Sequence, residues 1–199
     1  MPSVPSFAAR EPIPVRKPWL ALALSVAMVG PLFADTTLVF NEILYHPVTA
    51  EPDREWIEPY NQMAVDLDVS GWRVSGDVDF TFPPNTRAPG QAYLVVALNP
   101  SALQAATGLS NVFGPFTGRL SNNGGTLELL NPDGRRLDRV RFGADGDWPV
   151  TPDGSGVSLA KRDRDSASER AGNWTASAQM DGTPGQDNFP SSGGASPPA

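Results

Sequence analysis

One histidine, a scatter of acids and no cysteine make up the reactive inventory of this 199-residue chain. Without cysteine there are no disulfides, no thiolate metal ligands, no cysteine nucleophile and no site for a lipid-modified N-terminal cysteine. His46 stands against Pro47 at the end of an apolar run, so a serine–histidine–acid site would have to use a residue that reads as a turn histidine. One imidazole also excludes a zinc site built on several histidines of this chain. Nucleotide loops and the short motifs of serine hydrolases and zinc proteases are absent. Glu55 and Glu58 are three residues apart and point to opposite faces of an extended strand, so they do not form a glycosidase pair without a bulge. Asp77 with Asp79, and Asp66 with Asp68, share a face and read as solvated acids. Oxygen-only calcium binding is the remaining metal chemistry. Its candidates are Asp145 and Asp147 in a glycine-rich loop and the one-apart pair Asp163 and Asp165, neither with EF-hand spacing. No catalytic or cofactor-binding residue is assigned, and solvated loop acids remain the plainer reading of all four.

The elements that carry these residues are short. Proline and glycine number 21 and 19, which suits many turns joining brief strands rather than helices. Apolar runs at 37–45, 55–61, 67–75, 78–82, 126–130, 135–142, 157–162 and 173–177 read as strands, with Gly71 marking a bulge or a point of close approach in the third. Residues 92–98 (AYLVVAL) are apolar without alternation and predict a central strand buried on both faces. A single helix follows, capped by Asn99 or Ser101 and stopped by Gly108. Asn131-Pro132-Asp133-Gly134 has the residues of a type I turn and predicts a hairpin. The expected fold is all-β, a sandwich of about eight or nine strands with one short helix. Trp56, Trp72, Trp148 and Trp174, with Tyr45, Tyr60 and Tyr93, read as core and core-end filling, against the alternative of a flat sugar-stacking strip. Asn173-Trp174-Thr175 is the one glycosylation acceptor pattern.

Residues 1–34 read as an export signal: Arg10, Arg16 and Lys17, then the apolar run 19–29, then Leu32-Phe33-Ala34 before Asp35. The run is too short for a stable membrane span, so none is expected after cleavage. Residues 35–190 form the expected domain, and 191–199 (SSGGASPPA) a flexible tail. Removing 1–34 leaves 12 basic and 21 acidic residues, net −9. That disfavours nucleic acid, whose phosphates call for a basic face.

Nine pieces in order carry a resemblance: VFNEILYHP (39–47), EWIEPYN (55–61), VDLDVSGWRVS (65–75), VDFTFP (78–83), YLVVALNP (93–100), GPFTGRLSNNGGTLELL (114–130), DGDWPVTPDGSGVSL (145–159), NWTAS (173–177) and GTPGQDN (182–188). The chain resembles the lamin tail domain family, and most nearly its bacterial exported branch. The resemblance implies an immunoglobulin-like fold, no enzymatic activity, and a place as a module in a surface or secreted protein. DNA or chromatin binding does not carry over, given the acidic charge. Pro59 departs from the family pattern, which has leucine there. A proline in a strand lacks a ladder donor, so Pro59 is expected at a sheet edge or bulge, where it would limit association between chains. The expected function is protein interaction or adhesion at the cell envelope or outside the cell, with an envelope or extracellular protein as partner. Polysaccharide binding is the second reading, and a calcium-stabilised accessory domain of a surface enzyme the third.

Overall fold

A computed structural model describes residues 37–48 and 53–190; the expected export signal and tail lie outside these. The strands of the first half are β1 (Leu38–Leu44), β2 (Trp56–Asn61), β3 (Leu67–Asp68), β4 (Arg73–Gly76), β5 (Val78–Thr81), β6 (Arg87–Ala88) and β7 (Val95–Ala97). Helix α1 (Pro100–Thr107) follows, then β8 (Val112–Phe113), β9 (Thr117–Gly118), β10 (Gly124–Leu130), β11 (Arg136–Gly143), β12 (Val157–Lys161) and β13 (Trp174–Met180). One sheet has the order β13-β12-β1-β2-β7-β8, a second β11-β10-β4-β5-β9, and β3 pairs with β6 alone. The fold class is therefore all-β with one short helix, as the turn-rich pattern predicts.

The two large sheets face each other across an apolar core. Leu38, Phe40, Ile43, Ile57, Val96, Leu159 and Trp174 from the first sheet meet Val74, Val78, Phe80, Leu127, Leu129, Val140 and Phe142 from the second. Alternation explains the second sheet directly, because Val74, Leu127, Leu129, Val140 and Phe142 sit at every other position of their strands. In β1 the alternation changes phase. Phe40 pairs with Pro59 while Glu42 pairs with Glu58, so Asn41 is an extra residue and forms a bulge. The bulge lets Phe40 and Ile43, three apart, share the inner face, and turns Glu42 and Leu44 to the outer one.

Local chemistry sets the expected turns. Gly134 N donates to Asn131 O at 2.9 Å and Arg135 N to Asn131 Oδ1 at 2.8 Å, closing the β10–β11 hairpin. Asn99 caps α1 by accepting from Ala102 N at 3.1 Å, and Gly108 ends it at φ 75°. The strand expected at 67–75 is two strands instead. Gly71 takes φ +72° in a turn between β3 and β4, where Trp72 N donates to Val69 O at 3.0 Å. That turn leaves Trp72 half-buried against the core rather than inside it. The two-residue strands β3, β6, β8 and β9 raise the number of strands above the eight or nine expected, because so short a segment has no periodicity to read.

The placement of Pro59 overturns the edge expectation. It lies in β2, between β1 and β7, in the interior of the six-stranded sheet. Leu94 N donates to Pro59 O at 2.9 Å, and Pro59 has no N–H to return. The β2–β7 ladder is correspondingly broken: Tyr93 forms only an isolated bridge with Tyr60, and β7 begins at Val95. The bulge on β1 lies beside the same proline. We therefore expect Pro59→Leu to complete the ladder and stabilise the fold by about 1 kcal/mol, measured by urea unfolding. Light scattering should show no gain in association, since β2 exposes no edge.

Candidate functional site

The outer face of the six-stranded sheet is where the polar residues of the ordered motifs converge. Outward Leu44, Trp56, Val95 and Ala97 are covered by Leu103 of α1. Beside them, Glu42 and Glu58 stand directly opposite each other on β1 and β2, both with no exposed surface. The covering layer there is the segment 182–188. Glu42 Oε1 accepts from Thr183 N at 3.0 Å and from Ser158 Oγ, and its Oε2 accepts from Thr183 Oγ1 at 2.8 Å. Glu58 Oε2 accepts from Gly185 N at 2.6 Å and its Oε1 from Asn41 Nδ2 at 3.0 Å. Asn188 Nδ2 donates to Lys161 O at 2.9 Å, and its Oδ1 accepts from Asn41 Nδ2 at 2.9 Å. The bulge that turns Asn41 outward thus ties β1 to the C-terminal segment. A side chain at Gly182 would collide with Glu42, Trp56 and Ser158, all within 2.8 Å of its Cβ position, and φ there is +79°. Glycine is required on both counts.

Burial raises both carboxyls, and for Glu58 the neighbouring Glu42 charge raises it further. Two adjacent carboxylates out of water hold a proton between them more readily than either would in solvent. In a cleft this would be an acid–base pair; here every oxygen faces a donor from the covering segment or the sheet.

A second buried polar group closes one end of the core. Asp138 Oδ2 accepts from Phe40 N at 2.8 Å and Ser168 Oγ at 2.6 Å, linking the two sheets. Lys161, 1% exposed, donates to Ser166 O at 2.7 Å and lies 5.7 Å from the centre of the Trp174 ring. Desolvation pushes its ammonium down to about 8, against the opposing pull of Asp138, Asp163 and Asp165. The unfolded lysine, near 10.5, then binds more protons than the folded one between those values. Stability should accordingly rise as pH climbs from about 8 towards 10. Above that range the phenols of buried Tyr45 and half-buried Tyr93, held protonated mainly by desolvation, reverse the slope. Urea unfolding across this range should show the rise in the parent and its absence in Lys161→Met.

The residues singled out by sequence are dispersed. His46 Nδ1 lies 2.6 Å from Asp153 Oδ1, but Ser155 of the same loop donates its hydroxyl to Thr151 O at 2.5 Å, so the three are not arranged for proton relay. Glu55 is buried and accepts from Leu120 N at 2.8 Å, away from Glu58. Asp77 accepts from Thr126 N at 3.1 Å, and Asp79 pairs with Arg73. Asp145 and Asp147 are exposed; Asp163 Oδ1 accepts from Asp165 N at 3.0 Å. Among the described residues no three acids or imidazoles converge as a metal-ligand set. Trp56, Trp174, Tyr45 and Tyr60 are buried, and Trp148 is packed against the core, so these rings form no exposed strip. Asn173 Nδ2 donates to Ala167 O at 2.7 Å.

What the sequence reading missed is the Glu42–Glu58 pair and a hollow beside it. The hollow, about 280 Å³, is floored by Asn41 and Asn188 and walled by Tyr93, Arg164, Asp187 and Phe189. Arg164 pairs with Asp187, donates to Tyr93 Oη at 2.9 Å and lies 5.1 Å from the centre of the Tyr60 ring. Only the recurrence of acids and asparagines in the motifs at 39–47, 55–61 and 182–188 hinted at a shared location.

The family model described as Lamin Tail Domain matches residues 33–144, more than half of the chain. The sandwich continues past the match, with β12 seated between β1 and β13. No curated protein matches the sequence.

Proposed function

Because this chain belongs to the lamin tail domain family, an immunoglobulin-like β-sandwich, we propose that it is a non-enzymatic module for protein interaction or adhesion at the cell envelope or outside the cell. The observation that carries the reading is the use to which the motif carboxylates are put. Glu42, Glu55 and Glu58 are all buried and all accept backbone N–H groups, so the carboxylates of the motifs at 39–47 and 55–61 are committed to the scaffold. Export rests on the order of charge, apolar run and small residues before Asp35.

Two measurements test it. N-terminal sequencing of protein recovered from outside the cytoplasm should begin near Asp35, and intact Met1 on cytoplasmic protein would exclude export. Immobilised protein should retain a saturable partner from host envelope extract, and turnover of a glycan or ester substrate panel by the purified protein would exclude the non-enzymatic reading.

A further inference from the structure

The hollow beside the C-terminal segment has a composition that the scaffold does not explain. Its floor is fixed, because Asn41 and Asn188 are buried and bonded to each other. Its wall is fixed by the Arg164–Asp187 pair, braced by Tyr93 and the Tyr60 ring. Bonding capacity nevertheless remains at the mouth. Asp187 uses Oδ1 for both Tyr93 Oη and Arg164, and its Oδ2 takes no donor among the described residues. Asp163 uses Oδ1 for Asp165 N, and its Oδ2 likewise takes none. Arg162 is exposed, and while its backbone N–H donates to Asn173 O at 2.9 Å, its guanidinium has no acceptor among the described residues. Two rings flank these groups: Tyr93, half-buried, and Phe189, 41% exposed.

Acceptors and donors side by side, with rings beside them, match one ligand chemistry closely. A sugar ring presents neighbouring hydroxyls that donate to carboxylates and accept from guanidinium groups, and C–H faces that pack on aromatic rings. The two guanidinium groups are balanced by the two carboxylates, and Lys161 turns its ammonium away to Ser166 O. The mouth therefore suits a neutral ligand, and a polyanion would meet Asp163 and Asp187 at close range. The larger hollow near α1, about 560 Å³ and lined in part by Asp53, Asn99, Pro115 and Arg119, presents no aromatic ring.

We propose that the hollow formed by Asn41, Tyr93, Arg162–Arg164 and Asp187–Phe189 is a binding site for a neutral saccharide unit of a glycan. This rests on the reading of the protein as a non-enzymatic binding module outside the cytoplasm, and gives that module a second class of partner.

The test is an NMR titration of the full chain with cellotetraose and chitotetraose, with an oligogalacturonide and inorganic phosphate as anionic probes. At least one neutral tetrasaccharide should shift the amide signals of residues 162–164 and 187–189 saturably, with Kd in about the millimolar range. Arg162→Gln, which loses no protein partner, and Asp187→Asn should each weaken it about tenfold, the worth of one charged hydrogen bond. The proposal is overturned if neither neutral sugar shifts these signals up to about 10 mM. It is also overturned if both variants bind as the parent does, or if only the anionic probes bind. Retention of a protein partner from envelope extract in the face of such a result would leave the module reading standing and remove the saccharide site alone.

Discussion

Glu42→Ala is expected to lower the unfolding free energy by about 3 kcal/mol and to detach the segment 182–188 from the sheet. The side chain accepts from Thr183 N, Thr183 Oγ1 and Ser158 Oγ, and each donor left buried without an acceptor costs about 1–3 kcal/mol. The sum is reduced because Glu58 loses a like-charged neighbour and water can enter once the segment lifts. The pH dependence should change in the same variant. Both carboxyls are raised above the ordinary value of 4.5, so the folded state binds more protons than the unfolded one above that pH. Their contribution to stability is complete below about 4.5 and is lost as pH rises through the folded values. Without Glu42, burial still raises Glu58 but the added repulsion is gone, and the fall with pH should be shallower. Urea unfolding of parent and variant from pH 4 to pH 8 measures both effects.

Trp174→Ala should cost about 3–5 kcal/mol, the range for truncating a core aromatic. Its side chain is 1% exposed, its ring lies 6.3 Å from that of Trp148, and its Nε1 donates to Ser168 O at 2.9 Å. Ser168 in turn bonds Asp138, so the truncation opens the polar end of the core as well as leaving a cavity. Urea unfolding gives the loss. A variant as stable as the parent would mean that the ring adds little to the packing of β12 and β13. Trp72, half-buried on its turn, has less surface to lose.

These residues also mark how far the sequence carries. The hairpin at 131–134, the cap at Asn99 and the stop at Gly108 are local, and local chemistry predicts them. The central strand around 92–98 follows from an apolar run with both faces covered. Its shortness does not, because that depends on Pro59 in the adjacent strand. Proline reasoning places Pro59 at an edge or bulge; the bulge is there, but on the partner strand, and β2 is interior. Glu42 and Glu58 could not be read as buried, since alternation predicts two faces without saying which distant segment covers the outer one. That segment lies 141 positions along the chain from Glu42 at its Thr183 contact. The hollow draws on four separate stretches, around 41, 93, 162 and 188, and no spacing rule links them.

The central claim is that the motif carboxylates are structural clamps rather than reactive groups. Hydrogen exchange at the amides of Thr183 and Gly185 tests it most directly, because those N–H groups are the ones Glu42 and Glu58 hold. In the parent at neutral pH both amides should be protected to nearly the level of β1. In Glu42→Ala the Thr183 protection should vanish while the β10–β11 hairpin keeps its own. Parent amides at 183 and 185 that exchange as fast as an open chain would contradict the account, for the carboxylates would then be free of the backbone that is said to occupy them.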